Sequence, residues 1–165
     1  MSVRIPANTN RFGSSVNLLW RSDSFAIENP NFIQEAASTF GSQCVVVSID
    51  CKKISDGSYE VMSCGGIKKT GRTPVDWAID CVRLGAGEIL LNDVDNDGSL
   101  LGYDYKFIKD IALKLNCPVL ALGGCGNWDH ILQLFSFTSV SAACTQNIYH
   151  FTNESIKSAK NYLKL

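Results

Sequence analysis

Four short apolar runs punctuate the chain: "QCVVVSID" (43–50), "GEILLND" (87–93), "CPVLALGG" (117–124) and "VSAACTQN" (140–147). Each is hydrophobic without alternation and stops at polar residues or glycine, the pattern of strands covered on both faces of a parallel sheet. Between them the spacing changes to that of helices. "PVDWAIDCVRLG" (74–85) sets Val75, Ile79 and Val82 along one face, with Pro74 in a first turn and Gly85 at the stop. "YKFIKDIALKLN" (105–116) puts Phe107, Ile108, Ile111, Leu113 and Leu115 on or beside a buried stripe. "NWDHILQLF" (127–135) opens on Asn127 as an N-cap. "TNESIKSAKNYLKL" (152–165) carries Glu154 early and lysines late, as a helix dipole favours. One more helix, "NPNFIQEAASTFG" (29–41), precedes the first run.

The resulting order, α-(βα)4, predicts an α/β fold of parallel strands joined by right-handed crossovers. "ISDGSYE" (54–60) reads as a turn at Asp56-Gly57, and "YEVMSCGG" (59–66) as a short extra hairpin strand. Residues 1–24 fit no unit, although "SSVNLLW" (14–20) could form a strand, so the chain divides into an unmatched segment, 1–24, and the repeating units, 25–165.

Composition adds exclusions. The chain has 165 residues, 45% hydrophobic and 19% charged, which is ordinary for one globular domain with a proper core. A formal net charge of −1 gives no electrostatic basis for binding nucleic acid or an anionic membrane. No run approaches the ~18–20 apolar residues of a membrane span. The first 20 residues lack the apolar centre of a signal peptide, so a cytoplasmic protein is expected. Seven cysteines, with no C-x-x-C pair and only two histidines, point to buried thiols in a reducing compartment rather than to zinc. Cys125, inside a glycine-rich loop, is the one that could react, but no basic neighbour is evident to lower its pKa.

The chemistry should gather where strands end. "NDVDNDGSLLGYD" (92–104) nearly fits a calcium-binding loop, with Asp104 in place of the final glutamate. That loop requires a helix immediately before it, whereas here a strand runs in, so it reads instead as a βα turn. Asp50 emerges from "VVVSID", where an acid must be hydrogen-bonded, paired or used; a bond to a loop backbone and a catalytic role both remain open. "GGCG" (123–126) lets backbone N–H groups approach a phosphate, with the helix from Asn127 aimed at the anion. Alone, such a turn is weak, since any tight βα connection can need glycine.

Four stretches together carry a resemblance: "CVVVSIDCKK", "CGGIKKTGRTPVDWAIDCVRLGAGEILLNDVDNDGSLLGYD", "CPVLALGGCGNWDH" and "NIYHF". In order and spacing they resemble the C-terminal half of the cyclase subunit of imidazole glycerol phosphate synthase, from about Ala26 to Leu165. The resemblance implies half of a (βα)8 TIM-type barrel, strands five to eight. It implies a glutamine amidotransferase (glutaminase) partner whose ammonia is used on a phosphorylated aminoimidazole-carboxamide ribonucleotide in histidine biosynthesis. No metal and no cofactor are implied. Matched residue by residue, Asp50 becomes a catalytic aspartate, a general base. Asn92, Asp97, Gly98, Gly123, Gly124, Gly126 and Asn147 become substrate- or phosphate-binding positions. Glu88 becomes a charged residue at the ammonia entrance, with a salt-bridged strand start as its plain alternative.

Departures keep the substrate open. Leu122 stands where the family has serine, Asn92 where it has threonine, and Asn147 where it has serine, so three small hydroxyls are lost. Paralogues in surface-polysaccharide synthesis, which amidinate a sugar, fit as well as the histidine enzyme. So does a non-catalytic half-barrel that binds a phosphorylated ligand. A complete barrel takes ~200–250 residues, so the family's first strand, with its other catalytic aspartate, is not expected in this chain. Its complement would be a separate N-terminal half-barrel or, through two open sheet edges and an exposed inner face, a second copy.

Overall fold

The computed structural model describes residues 3–6, 18–20, 23–145, 148 and 156–163. The chain runs β1 (Val3–Pro6), β2 (Leu18–Trp20), α1 (Asp23–Glu28), α2 (Asn31–Phe40), a 3-10 turn (Ser42–Cys44), β3 (Val45–Lys53), β4 (Tyr59–Ser63) and β5 (Lys68–Lys69). It continues α3 (Pro74–Arg83), β6 (Glu88–Asp93), α4 (Tyr105–Ala112), β7 (Val119–Leu122), α5 (Trp128–Phe137), β8 (Ala142–Thr145) and α6 (Ile156–Leu163). All four expected strands are present, and β3, β6, β7 and β8 pair side by side in parallel. This is the architecture of half a (βα)8 barrel.

The sheet has more strands than the hydrophobic pattern announced. β2 lies parallel to β3, Leu18 opposite Val45, and so adds a fifth parallel strand ahead of α1 and α2. β4 pairs antiparallel with the far end of β3, Cys51 opposite Val61, forming the expected hairpin. β1 lies antiparallel along β8, Val3 opposite Thr145. The outer ladders of β3 and β8 are therefore taken by strands of the same chain. Alternation splits the side chains into two layers. Val45, Val47, Ile49, Ile89, Leu91, Val119, Ala121 and Ala143 face the helices in the main core. Val46, Leu90, Leu120, Ala142 and Cys144, with Leu122, form a second cluster on the opposite, inner face. That face is buried, at 2% for Val46 and 4% for Leu120. The inner face from which self-pairing was expected is thus not bare among the described residues, and the open edges of the sheet lie at β1, β2 and β5 rather than at β3 and β8.

Three helices start on side-chain caps: Thr73 accepts from Asp76 N–H, Asp104 from Phe107 N–H, and Asn127 from His130 N–H. Each such cap is worth about 1 kcal/mol. Two expected helix faces shift. In α3 the buried residues are Pro74, Trp77, Ala78 and Cys81, and Ile79 is 40% exposed. The indole is the larger apolar group and turns inward, with the Arg72 guanidinium 4.7 Å over its ring. α4 ends at Ala112, so Leu113 leaves the stripe and is 65% exposed. The expected last helix is seen as α6; residues 152–155 and 164–165 of it lie outside the described residues. No helix among the described residues is long and apolar enough to cross a membrane.

Candidate functional site

Register brings the strand ends into one row on the inner face: Asp50 beside Asn92, Asn92 beside Leu122, Leu122 beside Cys144. Asp50 is 6% exposed, and Asn92 Nδ2 donates to its Oδ1 at 2.7 Å. A buried carboxylate needs such a donor. The partner is a strand neighbour's side chain, not a loop backbone.

Next in the row, the acidic loop folds against the glycine loop. Asp97, Gly98, Leu122, Gly123, Gly124, Cys125, Cys144 and Thr145 line a narrow cleft holding about 10 Å³. So Asp97, Gly98, Gly123 and Gly124 do meet, roughly two strand spacings, about 10 Å, from Asp50. The glycines also have a packing reason. A Cβ on Gly124 would stand 2.0 Å from Gly102 O, one on Gly126 2.2 Å from Leu100 O, and one on Gly123 2.6 Å from Asp93 O. Gly102 N–H donates to Gly124 O at 2.7 Å, and Asn96 Nδ2 to Gly102 O at 2.6 Å, which joins the loops. An anion larger than water enters this cleft only as the loops part.

The start of α5 offers an anion less than the sequence suggested. Gly126 N–H donates to His130 Nδ1 at 3.1 Å, and His130 N–H to Asn127 Oδ1 at 3.0 Å. Asp97 is exposed at the cleft mouth, and a carboxylate there suits hydroxyl groups of a ligand rather than its phosphate.

The remaining acids of the loop have structural partners. Asp95 meets Lys52 at 3.1 Å. Asp93 and Asp104 share the phenol of Tyr59, at 3.1 and 3.0 Å, and Lys53 lies 3.4 Å from Asp104. Tyr59 is stacked on Phe107, centroids 3.7 Å apart. One hydroxyl proton serves one carboxylate at a time. Burial holds Asp93 above its ordinary value, against hydrogen bonds from Tyr59 and Asn96. Asp104 is also penalised by burial, but bonds from Phe107 N–H, Tyr59 and Lys53 outweigh it and hold its pKa low.

The two acids therefore pull stability in opposite directions with pH. Asp93, raised in the fold, contributes stability below its unfolded value that is lost as pH rises through its folded value. Asp104, lowered, contributes above the unfolded value and loses it as pH falls through its folded value. Asp93→Asn should therefore stabilise the chain relative to wild type at pH 7, and this gain should shrink near pH 4. Urea melts at both pH values measure it; a pH-independent difference would show that Asp93 is not the buried acid in charge.

Glu88 is buried at the opposite end of β6, about 13 Å from Asn92 at strand rise, and belongs to the other mouth of the sheet. Asn147 lies outside the described residues. All seven cysteines are free thiols. Cys125 is 5% exposed and burial pushes its thiol up, so it is not activated. Tyr59, Cys144 and Thr145 were not anticipated. Aligning the four strand ends by register would have found the last two; Tyr59 has no sequence signal beyond its place in a hairpin.

The family model for histidine biosynthesis protein matches residues 20–154. Imidazole glycerol phosphate synthase subunit HisF of Bacillus cereus is 42% identical over 142 residues, 86% of this chain and 56% of that protein. The same subunit of Clostridium botulinum is 46% identical over 143 residues, again 86% and 56%. The chain spans about half the length of the curated relatives it matches.

Proposed function

This chain belongs to the histidine biosynthesis protein family, as a homologue of HisF, and on that footing we propose that it is the C-terminal half of a cyclase. In this reading it uses glutamine-derived ammonia on a phosphorylated aminoimidazole-carboxamide ribonucleotide in the cytoplasm. Asp50 takes a proton at the inner mouth, oriented by Asn92. The cleft of Gly123 and Gly124 holds a phosphate, with Gly126 next in the same loop, and Asn147 is carried over from the resemblance as a further phosphate-binding position. Asp97 and Gly98 meet the ribose, and Glu88 lies at the entrance for ammonia from a glutaminase. A second segment with the family's earlier strands supplies the other acid. The observation that carries the reading is one row of strand ends holding a buried carboxylate and a glycine cleft.

A second reading, phosphorylated-ligand binding without turnover, has one observation in its favour. Leu122 sits in that row between Asn92 and Cys144 and offers the ligand no hydrogen bond.

Both readings require anion binding. Inorganic phosphate should raise the melting temperature above that in chloride of equal ionic strength. At ten times Kd, mass action gives about 1.4 kcal/mol, a rise of roughly 3–6 °C for a domain of this size. No rise over chloride at millimolar phosphate would refute the site.

A further inference from the structure

Asp93 follows Asn92 on β6 and by strand alternation points to the opposite face of the sheet. There its carboxyl shares one phenol with Asp104: Tyr59 Oη lies 3.1 Å from Asp93 Oδ2 and 3.0 Å from Asp104 Oδ2. A phenol gives one proton, so both contacts are bonds only when one of the two acids brings a proton of its own. Asp104 keeps the charge, with Lys53 3.4 Å away and Phe107 N–H donating to its Oδ1 at 3.1 Å. Asp93 is the acid for the proton. It is 6% exposed, and Lys52, the other cation at this end of β3, is taken by Asp95 at 3.1 Å. Burial, which holds Asp93 above the ordinary carboxylate range, favours the same assignment. The chain then runs from Asp93 O–H to Tyr59 Oη, and from Tyr59 O–H to Asp104. Two further ionisable groups face it: Cys51, opposite Asp93 on β3, and Lys106, at the start of α4 in the same cavity. The glycine loop meets Asp93 through Gly123 and brings no charge there.

Asp93 is also where the acidic loop is hinged. Its carbonyl accepts from Asn96 N–H at 3.2 Å and from Asp97 N–H at 2.9 Å, a turn that sets where Asp97 and Gly98 line the cleft. Its backbone packs on the other wall, since a Cβ on Gly123 would stand 2.6 Å from Asp93 O and 3.3 Å from Asp93 Cβ. We propose that Tyr59 is a positioning residue for the glycine cleft: through Asp93 it fixes the end from which the acidic loop parts and returns, and it does so while Asp93 holds a proton. The proposal rests on the reading that the cleft takes an anion, and it adds what holds the walls and when. Protonated, Asp93 is uncharged, donates to Tyr59 and keeps the turn in place. Ionised, it presents a carboxylate to a phenol already given to Asp104, so the turn loosens. It then also stands behind Gly123 as a negative charge. Loss of preorganised walls and charge repulsion both act against an anion, so anion affinity falls as pH rises through the titration of Asp93. Tyr59, stacked on Phe107 with centroids 3.7 Å apart, is itself fixed from α4 and can serve as the anchor.

The test is a titration of the full chain with sodium sulfate, against sodium chloride of equal ionic strength, at steps from about pH 4 to pH 8. The backbone amides of Gly98, Gly123 and Gly124 are followed in 15N–1H spectra. Sulfate keeps its double charge over this range, which phosphate does not. Sulfate affinity of the wild-type chain should fall by about fivefold or more from the acid to the basic end. Asp93→Asn, whose amide can donate to Tyr59 at every pH, should lose most of that fall. The ring of His130 is common to both chains, so the difference between the two profiles belongs to Asp93. Tyr59→Phe should bind sulfate about threefold or more weakly at the acid end, with its backbone spectrum otherwise that of the folded chain. Equal pH profiles in wild type and Asp93→Asn, or unchanged affinity in Tyr59→Phe, overturn the proposal and leave the anion site, and the proposed function, standing. Should Tyr59→Phe fail to fold, the two pH profiles decide alone. Absence of sulfate and phosphate binding at every pH overturns both.

Discussion

Ammonia-dependent turnover is expected to fall by about 10²–10⁴-fold when Asp50 becomes Asn, in a complex of this chain with the strand-one-to-four segment of a HisF relative. That is the contribution of a positioned general acid or base. Asparagine keeps the size of Asp50 and can still accept from Asn92 Nδ2, so the 2.7 Å contact need not be lost and the row should stay folded. What disappears is the group that takes the proton. The chain by itself should show no turnover, because acid and base stand on strands of two different halves in the proposed reaction. Steady-state assay with ammonium salt, with circular dichroism as the folding control, measures both. Retention of activity within a factor of about ten in Asp50→Asn would overturn its assignment as the base.

Gly124→Ala should destabilise the chain far more than Gly57→Ala, although both glycines have positive φ, 98° and 84°. A side chain in that region costs roughly 1–2 kcal/mol at either position. At Gly57 a Cβ meets nothing within 4 Å, so the cost should stop there. At Gly124 it would stand 2.0 Å from the carbonyl of Gly102, and backbone has little freedom to yield. Overpacking adds about 1–3 kcal/mol, and the Gly102 N–H bond to Gly124 O is placed at risk. Against a typical total of about 5–15 kcal/mol, that is a large share. Urea denaturation of the two variants gives the comparison. Equal losses would mean that Gly124 is needed only for its backbone conformation, and that the contact between the loops is not what holds the cleft closed.

The strands were legible because burial on both faces leaves a local mark. "VVVSI", "EILL", "VLAL" and "AAC" are apolar without alternation, and the parallel ladders fall on these runs. Helix starts were legible because their signals are local too: Asn127 accepts from an amide within one turn, and Pro74 fixes φ at the first helical position. Helix faces were read less well. Val75 and Val82 do pack against the core, but the helix is turned so that Trp77 is buried and Ile79 is exposed. β2 was visible only as a possible strand, because three residues, Leu18–Trp20, carry too little pattern to fix a partner.

The sequence by itself determined the order of elements, the residues at each strand end and, through the long central motif, the family. These depend on local spacing or on unbroken stretches of residues, and both survive without coordinates. Only the tertiary structure decided what those strand ends do to one another. Asn92 donates to Asp50 across 42 positions of sequence, Tyr59 bridges Asp93 and Asp104, and Gly124 packs against Gly102. It also decided that the outer ladders are filled by β1 and β2 rather than left open. Register and loop packing join residues far apart in the chain, and neither leaves a periodic trace in the residues that take part.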